Sequence, residues 1–414
     1  MIIMDGKMEL QIKDNLLKIM EITDGNICDR CLGRNFSKTI EGNGNLERGK
    51  YLRKILDESD ENLEKSTECY ICNDLFDDLD NMIDKIVEVL DREEINFSDF
   101  LIGCRVDPEM LKNEERIHEK FDLDVENIKK EINREIGKKL SLRLSKEVEF
   151  DNPNLVIMAD FKIGEIETQI NPIFIESRYR KLVRGIPQTK WPCTKCKGRG
   201  CERCNYTGKM YPETVEELIS EESIKAAHGI GAKFHGSGRE DIDVKMLGKG
   251  RTFVLEIKEP KIREIDLKKL KETVNEHARG KVEISEMKFV AKDRRAEIKE
   301  SSRDTYKVYK AIVELDEDID TATLDSLKSI KIINQRTPIR VSHRRADKIR
   351  TREVRNLEYK KLDSRILELV IECEGGLYIK ELISGDENRS KPSIAEILGT
   401  SAKCVELDVL DVNI

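Results

Sequence analysis

The run His235-Gly236-Ser237-Gly238-Arg239-Glu240-Asp241-Ile242-Asp243-Val244 is a glycine-rich approach leading into an apolar, strand-like stretch. A carboxylate at such a junction is held by regular structure on one side and by a pliable loop on the other, which suits it to a bulky substrate. Alone, Gly-Arg-x-Asp is short enough to recur by chance as a turn with surface acids. Asp243, two positions on, is expected to face away from Asp241.

Cysteine is the second chemistry-bearing type. Eight of the eleven cysteines fall in four Cys-x-x-Cys pairs. Cys28 and Cys31 with Cys69 and Cys72 give two knuckles suited to tetrahedral Zn²⁺, with a redox dithiol as the alternative. Cys193, Cys196, Cys201 and Cys204 form a tighter set with four residues between its pairs. Its likeness to the repeats of J-domain chaperones is superficial, since those centres need several copies. It reads as a second structural zinc site. Neither set has an obvious base beside it, so zinc catalysis is not expected. Cys104, Cys373 and Cys404 read as buried thiols.

The 414 residues exceed what one core usually serves, and 38% apolar with 38% charged residues is a globular composition. No basic n-region with an apolar core opens the chain, and no stretch approaches a membrane span, so a soluble cytoplasmic protein is expected. The net charge of -8 argues against a nucleic-acid partner until its distribution is considered. Lys331 to Lys361 holds eleven Lys/Arg against three Asp/Glu, enough for an RNA-facing surface.

Periodicity predicts a helix over Leu79–Leu90, a strand at Phe100–Gly103, a helix over Val125–Leu140, and a hairpin from Leu155–Asp160 and Glu165–Ile170. Farther on, Val244–Leu247 and Phe253–Ile257 read as a second hairpin turning at Gly248-Lys249-Gly250. Asp266 reads as the N-cap of a helix over Leu267–Glu276, and Tyr309–Leu315 and Leu367–Glu372 read as strands. The fold class is α+β. Three regions are expected: a zinc-binding module at 1–75, an α/β accessory domain at 76–170, and a domain at 171–414 with a four-cysteine insert at 193–204.

Three ordered blocks carry a family resemblance. Phe234 to Gly248 with Phe253-Val254-Leu255-Glu256-Ile257-Lys258-Glu259-Pro260, then Lys307-Val308-Tyr309-Lys310-Ala311, then Gly376-Leu377-Tyr378-Ile379-Lys380-Glu381 resemble the archaeal tRNA pseudouridine-54/55 synthase family, the Pus-ten group. Arg389–Ser393 and Cys404–Val409 also match, and Leu377 departs from the commoner Thr. The resemblance is strong over 171–414 and looser before it, where the α/β region resembles a THUMP domain. It implies a catalytic domain on a mixed, mainly antiparallel sheet that needs no organic cofactor, and one structural zinc at the first cysteine set.

The implied chemistry breaks the C1′–N1 bond of uridine, turns the uracil and joins C1′ to C5, with no redox change. The resemblance makes Asp241 the reacting carboxylate, as nucleophile or as base toward a sugar proton. It makes Lys380 the basic partner of Asp241. It has Tyr309 stack on the uracil and move a proton at C5, with Tyr378, Ile379 and Leu407 shaping the pocket. Arg178, Arg180, Arg184, Arg340, Arg344 and Arg345 are the expected contacts to the TΨC arm of tRNA, whose target base must be extruded. A monomer is expected. The alternative function is a non-catalytic THUMP-type tRNA-binding protein, for which Asp241 would be dispensable. A methyltransferase or thiolase would need a glycine-rich cofactor loop after a strand, which the sequence lacks.

Overall fold

The computed structural model describes residues 6–40, 44–57, 68–121, 125–301, 305–343 and 345–413. They fall into two compact units, Met1–Asn171 and Pro172–Ile414, each with its own core. Among the described residues, no helix is long and apolar enough to cross a membrane.

The first unit contains α1 (Gly6–Ile22), α2 (Asp29–Asn35), α3 (Asn45–Asp57), α4 (Leu79–Glu93), α5 (Pro108–Phe121) and α6 (Ile128–Leu144). Its four strands are β1 (Asp99–Arg105), β2 (Glu147–Val148), β3 (Leu155–Asp160) and β4 (Glu165–Ile170), in the order β2-β1-β3-β4. Helix α4 buries Leu79, Met82, Ile83, Ile86 and Leu90, the stripe that its spacing predicts. Helix α6 starts at Ile128 rather than Val125 because the Asn127 side chain accepts from Lys130 N and caps it. Strands β3 and β4 pair antiparallel, Leu155 opposite Ile170 through Asp160 opposite Glu165, as the expected hairpin requires. Cys31, Leu32, Cys69 and Cys72 share one core with α4, α6 and β3, so the core runs unbroken across position 75. Inside this core Arg34 Nε reaches Glu114 at 2.9 Å and its Nη1 reaches Glu131 at 2.8 Å.

The second unit is built on one eleven-stranded sheet. Its strands are β5 (Ile173–Lys181), β6 (Gly231–Gly236), β7 (Val244–Lys258), β8 (Val282–Ile284), β9 (Lys288–Phe289), β10 (Tyr306–Leu315), β11 (Ile332–Arg336), β12 (Ile349–Asp363), β13 (Ile366–Glu374), β14 (Ser390–Lys391) and β15 (Ala402–Asn413). The path is β14-β11-β12-β13-β10-β15-β7-β5-β8, with β6 on β7 and β9 on β5. Helices α7 (Val215–Ala227), α8 (Leu267–His277), α9 (Arg294–Ser301), α10 (Thr321–Asp325), α11 (Ile379–Ser384) and α12 (Ile394–Leu398) accompany it. Asp266 caps α8 as expected, its Oδ1 accepting from Lys268 N and Lys269 N. Strand β13 alternates strictly, burying Leu367, Leu369, Ile371 and Cys373. The unit is therefore α+β on a mixed, mainly antiparallel sheet. Its parallel pair is β15 with β7, registering Leu407 opposite Val244.

The hairpin expected at Gly248-Lys249-Gly250 does not form. Residues 244–258 are one bent strand whose first part pairs with β15 and whose later part pairs with β5. Gly248 and Gly250 sit at φ +56° and +78°, and a Cβ would come within 1.7 Å of Leu410 O and 2.7 Å of Tyr179 O. The glycines thus let two backbones approach a bent strand instead of reversing it. The actual hairpin partner is β6, with His235 opposite Val254.

Candidate active site at the parallel strand junction

Asp241 sits in the loop between β6 and β7, just before the parallel pairing begins. Buried groups fix this loop from beneath. Arg251 Nε lies 2.9 Å from Glu240 Oε2, Tyr179 donates to both Glu240 oxygens at 2.8 Å, and Arg251 Nη1 donates to Ser237 O at 3.0 Å. Gln188 adds bonds to Tyr179 Oη and Gly238 O. Burial pushes the Tyr179 phenol well up, and the adjacent Glu240 charge adds to the rise. Gly238, at φ +86°, has room for no Cβ without pressing on Arg251 Nη1 at 3.1 Å.

Lys181, fully buried, donates to the carbonyls of Ile186, Asp241 and Ile242 at 3.0, 3.0 and 3.1 Å. Three N–H bonds meet three acceptors, so the ammonium is satisfied and the backbone at Asp241 is tied to β5. Desolvation brings its pKa down, opposed by Glu240, Asp243 and Asp241.

The Asp241 carboxylate points outward into a cavity of about 480 Å³. Its Oδ2 lies 2.9 Å from Arg340 Nη1 and 3.9 Å from Lys380 Nζ, and the carboxylate is about one-third exposed. Lys380 sits closer to Asp243, at 2.6 and 2.9 Å. Asp243 does not face away: positions two apart in extended backbone share a face, and Lys380 meets both carboxylates. For Asp243, burial is outweighed by the Lys380 hydrogen bond and charge, which hold its carboxyl below the usual range.

Arg340 also reaches Glu381 Oε1 through Nε at 2.5 Å and lies over the Tyr378 ring at 5.7 Å. The backbone of Tyr378 is clamped by Gln335, whose Oε1 accepts from Tyr378 N at 2.8 Å and whose Nε2 donates to Tyr378 O at 3.0 Å. That clamp starts α11 and so sets Ile379 and Lys380.

Of the sequence-predicted residues, Asp241, Tyr309, Tyr378, Ile379, Lys380, Leu407, Arg340 and Arg345 all line this cavity. Tyr309 and Leu407 stand on neighbouring strands, β10 and β15. Burial pushes the Tyr309 phenol up, with Cys373 adding and Arg251 opposing. Arg178, Arg180 and Arg184 are not in the lining. Arg180 pairs with Glu283, and Arg178 reaches Gly250 O. Arg184 straps the loop to β15 through Asp243 O, Leu407 O and Asp408. Arg344 lies outside the described residues. The cavity also holds Arg350 and Arg352, from the basic segment expected to face RNA, and Arg239, Arg251 and Lys307, which were not among the expected site residues. Strand alternation carried part of the signal: in Arg178-Tyr179-Arg180-Lys181, Tyr179 and Lys181 face the core, so this basic run is only half surface.

Each expected cysteine set converges. The four sulfurs of Cys28, Cys31, Cys69 and Cys72 lie within 4.8 Å of one another, as do those of Cys193, Cys196, Cys201 and Cys204. Separations of 3.6, 3.7 and 3.9 Å match the edge of about 3.8 Å that bonds of about 2.3 Å give a tetrahedral tetrathiolate. Backbone N–H groups of Cys28, Gly200, Cys201 and Gly208 point at sulfur, as thiolate ligands require. Both sets fit a structural metal. Trp191, at the edge of the second set, carries Arg239 over its ring at 5.4 Å, linking the insert to the Asp241 loop.

Two family descriptions match this chain: "Pus10, C-terminal" over residues 174–413 and "Pus10 THUMP domain, archaeal" over residues 82–160. Three relatives bear the name tRNA pseudouridine synthase Pus10. The protein from Methanothermobacter marburgensis is 51% identical over 98% of this chain and 99% of its own length. That from Methanosphaera stadtmanae is 47% identical over 85% and 90%. That from Methanocaldococcus jannaschii is 42% identical over 94% and 92%. The chain therefore belongs to the Pus10 family, the enzyme family of those archaeal tRNA pseudouridine synthases.

Proposed function

We propose that this chain isomerises uridine to pseudouridine at positions 54 and 55 in the TΨC arm of tRNA, with Asp241 as the reacting carboxylate. The observation that carries the reading is the cavity itself: the Asp241 carboxylate beside Glu240, which Arg251 and Tyr179 engage, with Tyr309, Tyr378 and an apolar wall from Leu407, Val409 and Ile379 inside a rim of arginines. An extruded nucleotide needs these features: an aromatic face and apolar walls for the base, cations for the flanking phosphates, and a carboxylate for C1′ or C2′.

Asp241 attacks C1′ as the bond to N1 breaks, or takes the C2′ proton to give a glycal. Both routes use the ionised carboxylate, and Arg340 and Lys380 offset its charge. Tyr309 stacks on the uracil while it turns. Leu407 and Ile379 exclude water, so the detached base stays in place. Arg345, Arg350 and Arg352 face the RNA backbone at the mouth. The protein acts as a monomer, and both cysteine sets hold structural zinc.

The test is chemical mapping of pseudouridine in an unmodified tRNA transcript after incubation with the protein. Pseudouridine at 54 and 55 is expected. Modification confined to another arm would overturn the site, and tight binding without product would support a binding protein instead.

A further inference from the structure

Lys307 has no task in the mechanism above. It lies on β10 two residues before Tyr309, so both side chains project from the same face, and both line the cavity with Asp241. Lys307 is 9% exposed, and its side chain makes no hydrogen bond or ion pair among the described residues. A Cβ built on Gly238 would lie 3.1 Å from Arg251 Nη1 and 3.9 Å from Lys307 Nζ, so two cations flank one point of the loop. Glu240 is already engaged by Arg251 and Tyr179.

An ammonium buried beside a guanidinium is destabilised. Burial first, and Arg251 second, bring the Lys307 pKa down to about 8, against the opposing pull of Cys373 and Glu240. The other titratable groups of the cavity are Asp241 in the loop, Tyr309 on the same strand, Tyr378, and the cations Arg239, Arg340, Arg345, Arg350, Arg352 and Lys380.

The reaction needs a base late. When uracil rejoins C1′ through C5, that carbon still carries its hydrogen. The C5–H pair must become the C5=C6 double bond, the C6=N1 pair must move onto N1, and N1 must gain a proton. The isomerisation is then neutral overall. The Tyr309 phenol is pushed upward and is a poor acceptor at neutral pH. An amine titrating near pH 8 is free in about a tenth of molecules at pH 7.

We propose that Lys307, as the free amine, is the catalytic residue that accepts the C5 proton and passes it to solvent at the cavity mouth. This rests on the assignment of Asp241, and the experiment separates the two. Release of tritium from 5-tritiated uridine in tRNA is followed for wild type, Asp241→Asn, Lys307→Arg and Lys307→Ala, with a parallel 5-deuterated substrate. Silence from wild type would sink the reaction itself. With wild type active, Lys307→Arg and Lys307→Ala should release tritium about 100-fold more slowly at nearly unchanged KM, the scale of a lost general base. A 5-deuterium isotope effect should emerge, and methylamine should restore Lys307→Ala in proportion to its concentration. The wild-type rise of kcat toward pH 8 should vanish in Lys307→Arg. Full-speed release by Lys307→Arg, or slow release by Lys307→Ala with neither isotope effect nor amine rescue, would overturn the proposal.

Discussion

Arg340, rather than Lys380, is the near cation of Asp241: its Nη1 stands 2.9 Å from Oδ2, against 3.9 Å for the lysine. The same guanidinium holds buried Glu381, so its fork spans two carboxylates on separate segments. Arg340→Lys keeps the charge but cannot span both. The loss of a charged hydrogen bond, about 1.5–3 kcal/mol, predicts a 10- to 100-fold fall in kcat. Single-turnover kinetics would show it, and Lys380→Arg should cost less.

Beneath that pair, Lys181 ties Asp241 to β5 by carbonyl contacts alone. Lys181→Met should leave three carbonyls short of donors and destabilise the second unit by about 2–4 kcal/mol. Thermal unfolding would report this as a fall of roughly 4–16 °C. An unchanged midpoint would show that the ammonium is not the loop's anchor.

His235 gives a pH signature. Desolvation is the largest influence on it, aided by Lys299 and Lys233 and opposed by Glu256, and its pKa falls below the ordinary value. The unfolded chain takes up this proton near pH 6.5, whereas the folded chain resists it. The contribution is therefore complete above about pH 6.5 and is lost as pH falls from there through the folded pKa. Denaturant titrations between pH 7.5 and 5.5 should show a slope that His235→Gln flattens.

The two cysteine sets predict two zinc ions per chain by elemental analysis, and one after Cys69→Ser with Cys72→Ser. Because Cys69 and Cys72 belong to the core of the first unit, that double substitution should lower its unfolding midpoint. A wild-type zinc content near zero would remove the metal reading.

Much of this was legible in the sequence, and the failures have physical causes. The apolar stripe of α4 and the Asp266 cap of α8 are local, and local patterns survive folding, although the Asn127 cap that starts α6 at Ile128 went unread. The supposed hairpin at Gly248 failed because one segment serves two partner strands, a tertiary fact that no turn rule contains. Asp243 meets the same lysine as Asp241, contrary to the expectation; positions two apart in extended backbone share a face. The segment at 336–352 read as a uniform basic surface, yet Arg336 is spent on Asp347 and Arg340 on Asp241, while Arg345, Arg350 and Arg352 face the cavity. Lys307 was visible only as part of a motif, because burial and the engagement of Glu240 elsewhere are not written in spacing.

The most direct measurement is tritium release from 5-tritiated uridine in a tRNA transcript by wild type and Asp241→Asn. The variant keeps the size of the side chain and the loop's buried anchors, so it should fold, bind tRNA and release no tritium above background. Release by Asp241→Asn at the wild-type rate would contradict the assignment of Asp241 as the reacting group.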